Sequence, residues 1–231
     1  MNYLKILENN RQMLLNLKEC KVYIISPGTG KYLSRLHTVF QRIVSAGFTQ
    51  IEFFKSIPSE KTCDSLALTV VEIFKKELHT TKPFFILEDD CELWFNYDTM
   101  ELPDSFSLFY AGIAKWAYPH PISTLFLQNR PHIFPHSLQT IQSYNNQLVQ
   151  VKAMTGGHAI LYNCRNFMRE FIKLYDKPTG IPHDLIFSSM IFSFPQLYFA
   201  FAFKQPMFFQ DKTLGGQEEV TRLTFDGVSF S

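Results

Sequence analysis

Three consecutive carboxylates follow four apolar residues in the segment PFFILEDDCEL (83–93), where Phe84–Leu87 run straight into Glu88, Asp89 and Asp90. Carboxylates cannot continue inside a hydrophobic sheet without a large desolvation cost. They must emerge at the strand's carboxyl end, which is where open α/β sheets place their ligands. In an extended chain, residues two apart share a face. Glu88 and Asp90 are therefore expected on one side and Asp89 on the other. Two carboxylates on one side attract a hard divalent cation, Mn²⁺ or Mg²⁺, which would bridge them to a diphosphate. A solvated acidic turn is the plain alternative.

Three other segments carry candidate groups. In TGGHAILYN (155–163), paired glycines precede a strand. They permit close backbone approach to a ligand. Gly156 and Gly157 could wall a sugar pocket and His158 could donate a hydrogen bond there, or the segment is a tight turn with a surface histidine. In Pro182–His183–Asp184, the aspartate is expected to cap a following apolar helix. That position would also hold a carboxylate rigidly at a cleft edge, as a general base requires. PGTGK (27–31) suggests a phosphate loop but fails the full G-x-x-x-x-G-K-[ST] pattern, since Ile25 and Tyr32 stand at required positions. The Ser26–Pro27 turn is still expected to border a nucleotide without being a P-loop. Arg35, just beyond it, could pair with a phosphate or stack on a base, or simply face solvent. A G-x-S-x-G elbow and an H-E-x-x-H pair are both absent from the sequence, so neither a serine hydrolase nor a zincin is indicated.

The elements that must position these groups follow from periodicity. Residues 3–18 suggest a helix, with Leu4, Leu7, Met13, Leu14 and Leu17 on one broad face. Strand formers at 21–26, 51–54 and 84–87 alternate with amphipathic stretches at 33–46 and 64–79. Near-continuous apolar strands between helices predict a parallel sheet covered on both faces. Residues 105–113 and 159–163 read as strands, 137–154 as a hairpin around Asn145–Asn146, and 165–176 as a helix. No charged residue occurs between Asp184 and Lys204. Pro195 interrupts that stretch, which reads as a buried helix, a turn and a strand rather than a membrane span. The tail from Gln210, with Gly215–Gly216, reads as a loop or a flexible lid. The expectation is one α/β domain over 1–231, with a Rossmann-like nucleotide-binding half (1–93) and a more antiparallel, acceptor-shaped half (94–231).

Composition sets outer limits. The chain has 231 residues, 22 Lys plus Arg against 21 Asp plus Glu, and a net charge of +1. That balance argues against electrostatic nucleic-acid binding. With 46% hydrophobic and 19% charged residues, intrinsic disorder is excluded. The 24 phenylalanines must supply core or pocket wall. Four scattered cysteines form no C-x-x-C pair, and the first twenty residues mix charges without an apolar run. A reducing, cytoplasmic compartment is the resulting expectation.

ALTVVEIFKKEL (67–78) followed by FFILEDDCEL (84–93) resembles glycosyltransferase family 25. That family includes bacterial lipooligosaccharide galactosyltransferases and collagen-modifying enzymes. LFYAGI (108–113), TGGHAILYN (155–163), PHDLIF (182–187) and QPMFFQDK (205–212) fall in the family's order. The family's helix carries Ser-His where this chain has Thr69–Val70. The compact size is also similar to small glycosyltransferases encoded by large algal DNA viruses. The resemblance implies a GT-A fold, a nucleotide-diphosphate sugar donor (a UDP-sugar first) and a glycan or glycoconjugate acceptor. It implies an inverting, metal-dependent transfer. It places the metal on Asp90 with Glu88 near the donor ribose or a metal-bound water, and makes Asp184 the base or acceptor anchor. No histidine follows His183, so the family's late histidine ligand is missing or replaced by Asp211. A non-catalytic nucleotide-sugar-binding protein, a nucleotidyltransferase and an aromatic-rich structural protein are the competing readings.

Overall fold

The computed structural model describes residues 11–112, 141–151, 156–175 and 177–215. In chain order it contains β1 (Gln12–Asn16), β2 (Lys21–Ser26), α1 (Lys31–Ser45), β3 (Ile51–Lys55), α2 (Thr62–Glu77) and β4 (Phe84–Glu88). Six short strands follow: β5 (Cys91–Leu93), β6 (Thr99–Pro103), β7 (Leu108–Tyr110), β8 (Ile141–Ser143), β9 (Leu148–Val151) and β10 (Ala159–Tyr162). Two helices, α3 (Arg165–Leu174) and α4 (His183–Ser193), precede β11 (Ala200–Phe203) and β12 (Phe208–Gln210).

Eight strands form one sheet in the order β3-β2-β4-β10-β7-β11-β9-β8. β3, β2 and β4 are mutually parallel, as the βαβαβ pattern of the sequence expects. Beyond β4 the sheet becomes mixed. β10 lies antiparallel to both β4 and β7, β11 is parallel to β7, and β9 and β8 form the expected hairpin. The architecture is therefore mixed α/β, with a parallel first half and a more antiparallel second half. The β4–β10 pairing makes the sheet continuous across them.

Period-2 alternation supplies both faces of this sheet with apolar side chains. Tyr23, Phe84, Ile86 and Tyr162 enter the core beneath α2, α3 and α4. Their neighbours Val22, Ile24, Phe85 and Leu161 enter the core beneath α1. Phe74 of α2 sits at the centre of the first core, stacking on Phe187 and meeting Tyr162 and Phe171 edge-on. Such pairs add about 0.5–1.5 kcal/mol each beyond simple burial. α4, whose one acidic residue is Asp184 in the first turn, is buried over most of its surface, as a helix apolar on all sides must be. No helix among the described residues is long and apolar enough to cross a membrane.

Two expectations need correction. Within the described part of 3–18 the chain is mainly strand, not α-helix: Gln12–Asn16 pair antiparallel with Thr99–Pro103, and a 3-10 turn at Leu17–Glu19 follows. Met13 and Leu15 pack inward while Leu14 is 74% exposed. Pairing with a distant strand overrides the local helical spacing; Leu4 and Leu7 lie outside the described residues. The described start of the tail, 210–215, is also not plain loop, since Gln210 ends a strand and Lys212–Leu214 form a 3-10 turn; residues 216–231 lie outside the described residues. Phe208–Gln210 pair with Cys91–Leu93, immediately after the acidic triplet.

Candidate active site

β4 ends at Glu88, and the turn that follows carries Asp89 and Asp90. All three border a cavity of about 530 Å³ at the carboxyl ends of the parallel strands. The Glu88 N–H is bonded to the His158 carbonyl at 2.8 Å, which ties the acidic triplet to the start of β10. Pro27, Arg35, Gly156, Gly157, His158 and Asp184 border the same cavity. Segments up to 157 positions apart in sequence thus meet at one place.

The three carboxylates have different environments. Asp89 accepts a short hydrogen bond from the Ser26 hydroxyl and lies 3.5 Å from the Arg35 guanidinium. Ser26 itself is buried, and it holds Asp89 from behind rather than facing the cavity. Asp90 is 7% exposed, and its Oδ1 has no hydrogen-bond partner. Burial, then the charge of Asp89, pushes its carboxyl up to about 6, although Arg35 and Gln210 favour the charged form. Glu88 lies well above the usual carboxylate range, first through burial and then through repulsion from Asp90, Asp184 and Asp89. Asp89 is also raised by burial, with Ser26 and Arg35 opposing the shift. A cluster of this kind is costly when empty and gains strongly from a nearby positive charge.

Arg35 neither faces bulk solvent nor stands free. It reaches Asp89, lies over the Tyr32 ring at 5.0 Å, and packs against Gly215. Lys31 and Tyr32 border the cavity beside it. The sequence hinted at Lys31 through the PGTGK loop, but gave no signal for Tyr32. Ser56 and the first turn of α2 (Thr62, Cys63, Ser65) add uncharged lining to the cavity. No sequence motif joins these residues.

Asp184 is not the helix cap. Pro182 takes that position, and Asp184 lies inside the first turn of α4. Its Oδ2 accepts the Gly156 N–H at 2.8 Å and its Oδ1 accepts the Leu185 N–H at 3.0 Å. The carboxylate thereby fastens the glycine pair to the helix and still faces the cavity. Gly157 admits no side chain, since a Cβ there would lie 2.4 Å from His183 Nε2. Gly157→Ala should therefore displace His183 and lower stability by about 1–3 kcal/mol. A melting temperature equal to that of the parent would show that this contact is not tight.

Asp211 does not serve as a spare ligand. Arg42 holds one oxygen at 2.7 Å, and the Thr213 N–H and hydroxyl hold the other at 2.8 and 2.6 Å. Against the effect of burial, these bonds keep its carboxyl below the usual range. Gln210, one residue earlier, borders the cavity instead. Among the described residues no three His, Cys, Asp or Glu side chains converge to hold a metal ion. Glu88 and Asp90 can therefore offer at most part of a cation's shell. The unpartnered Asp90 Oδ1 suits that partial role. A hard cation shared between one or two carboxylates and ligand phosphates is a common arrangement.

No family model and no curated protein sequence matches the chain. Among solved structures, mouse xyloside xylosyltransferase 1 in its apo form is similar over 78% of this chain and 84% of that one. The TM-score is 0.40 and the identity 10%, a likeness that fixes neither activity nor substrate.

Proposed function

We propose that this cavity transfers a sugar from a nucleotide-diphosphate donor to a hydroxyl of a glycan or glycoconjugate, in the manner of GT-A glycosyltransferases. One observation carries the reading: Glu88, Asp90 and Asp184 share a cavity with Arg35 and the Gly156–Gly157 pair at the carboxyl end of a parallel sheet. That location suits a nucleotide. Lys31 and Arg35 supply positive charge on one side, as a diphosphate requires. The glycine pair allows a saccharide close to the main chain.

In the proposed reaction the acceptor hydroxyl oxygen bonds to the anomeric carbon. The bond from that carbon to the diphosphate oxygen breaks, and the diphosphate leaves with the electron pair. The hydroxyl proton passes to Asp184 as general base, with inversion at the anomeric centre. The two N–H bonds to Asp184 fix the direction of its carboxylate. Glu88 and Asp90 would hold a Mn²⁺ or Mg²⁺ ion, which supplies neutralising charge for the leaving diphosphate. Asp89 instead orients Arg35 and Ser26. A UDP-sugar is the first donor to test.

The test is a thermal-shift screen of UDP-, GDP-, CMP- and dTDP-sugars with and without Mn²⁺. A ligand that binds only the native state raises the melting temperature. One nucleotide class should do so, and only with the cation present. Binding without donor hydrolysis or transfer across an acceptor panel would instead identify a binding module. Pyrophosphate release from a nucleoside triphosphate would identify a nucleotidyltransferase.

A further inference from the structure

Arg42 lies on α1 seven positions after Arg35, so both guanidinium groups leave the helix on the same side. The Arg42 guanidinium acts as a fork. Its Nη1 donates to the Cys91 carbonyl at 3.2 Å and its Nη2 to Asp211 Oδ2 at 2.7 Å. Glu92 Oε2 lies 3.9 Å from the same Nη2. Cys91 directly follows the acidic triplet, and Asp211 directly follows β12. One side chain thus joins the two strands where they meet the rim. Main-chain bonds close the joint: the Asp211 N–H donates to the Asp90 carbonyl at 2.6 Å, and Cys91 pairs with Gln210. Asp211 is held in turn, because its other oxygen accepts from the Thr213 N–H and hydroxyl. Arg35 repeats the pattern one side over, reaching Asp89 and packing against Gly215.

None of these bonds is made to the Asp90 carboxylate, whose Oδ1 has no partner and is left open to a cation. They nevertheless set its direction, because the chain around it is fixed on both sides. The Glu88 N–H is held by the His158 carbonyl, the Asp90 carbonyl by Asp211, and the Cys91 carbonyl by Arg42. Gln210 stands beside the Asp90 side chain and is carried by the strand that ends at the clamp. Neither Arg42 nor Asp211 borders the cavity itself. We propose that Arg42 is a positioning residue for the divalent cation: through the Cys91 carbonyl and Asp211 it fixes the Asp90 carboxylate at the rim. This rests on the cation proposed above. It adds that the affinity for the ion depends on a side chain outside the cavity. Groups that orient a metal's ligands change its affinity without touching it. The role calls for arginine, because a lysine is a point charge and cannot bond both partners as a planar fork does.

Mn²⁺ binding can be measured from the electron paramagnetic resonance signal of the free ion, with saturating UDP, or GDP if that is the nucleotide that raises the melting temperature. Arg42→Lys keeps an ion pair with Asp211 but loses the fork. It should weaken Mn²⁺ roughly 10-fold. The metal-free melting temperature should change by less than about 4 °C, so the loss is not one of folding. Asp211→Asn keeps an oxygen for Thr213 but turns an amide toward Arg42, and it should weaken Mn²⁺ to the same degree. The double variant should lose no more than either single one, because both changes interrupt one path. Unchanged Mn²⁺ affinity in both single variants, or losses that add in the double variant, would overturn the assignment and leave Arg42 a strut for β12. If the parent protein binds no Mn²⁺, the proposed cation falls and this assignment with it.

Discussion

Replacing Asp90 by Asn should make the ligand-free protein more stable at neutral pH and remove its response to divalent cations. The native Asp90 carboxyl keeps its proton up to about pH 6, whereas its ordinary value is 3.8. Between those two values the folded chain binds more protons than the unfolded one. Stability contributed by this group therefore falls as pH rises through that window, and the full cost is present above it. A shift of this size corresponds to roughly 3 kcal/mol at neutral pH. For a chain of this length, that is about 5–10 °C in melting temperature. Asn occupies the same space without the charge, and it also relieves the repulsion that raises Glu88. Parent and variant should therefore differ most near pH 7.5 and converge near pH 4. Saturating Mn²⁺ with nucleotide should reverse the order, because only the parent offers both the Glu88 and the Asp90 carboxylates to the ion. The measurement is a set of melting curves across pH, with and without cation. Coincident curves at pH 7.5, or an undiminished Mn²⁺ response in Asp90→Asn, would remove the basis for a cation at this rim.

The second large effect concerns Asp184. Asp184→Asn keeps an oxygen able to accept from Gly156 and nearly the same volume, so the glycine pair should stay in place. It cannot accept a proton from an acceptor hydroxyl. The turnover rate should fall about 10²- to 10⁴-fold, with donor affinity changed by less than about 3-fold. Asp184→Ala should behave differently. It leaves the Gly156 N–H, bonded at 2.8 Å in the parent, without its partner. Donor affinity and melting temperature should then decline along with turnover. Retained turnover in Asp184→Asn would exclude this carboxylate as the base.

How much of this was legible in the sequence differs from element to element. The acidic rim was readable because Phe84–Leu87 are buried on both faces and the carboxylates cannot follow them inward. The parallel half was readable for the same reason, since each of its strands and helices shows its period locally. Contacts that join distant segments left no such trace. The Asp184–Gly156 bond spans 28 positions, and the Arg42–Asp211 pair spans 169. Neither side chain's type or spacing announces its partner, so Asp184 read as a cap and Asp211 as a spare ligand. β1 misled for a related reason. Its five residues, QMLLN, carry three apolar side chains in succession, and only the Thr99–Pro103 strand selects the extended form.

The pairing of Cys91–Leu93 with Phe208–Gln210, together with the Asp211 N–H bonded to the Asp90 carbonyl, has a consequence for biosynthesis. A nascent polypeptide exposes its acidic triplet long before the ribosome adds the strand that braces it. The parallel half can begin to assemble early, but its acidic edge is completed only after synthesis has passed Gln210. Ordering of this rim is thus expected to be a late event in maturation, and a partly made chain would hold its charged residues without the scaffold that directs them.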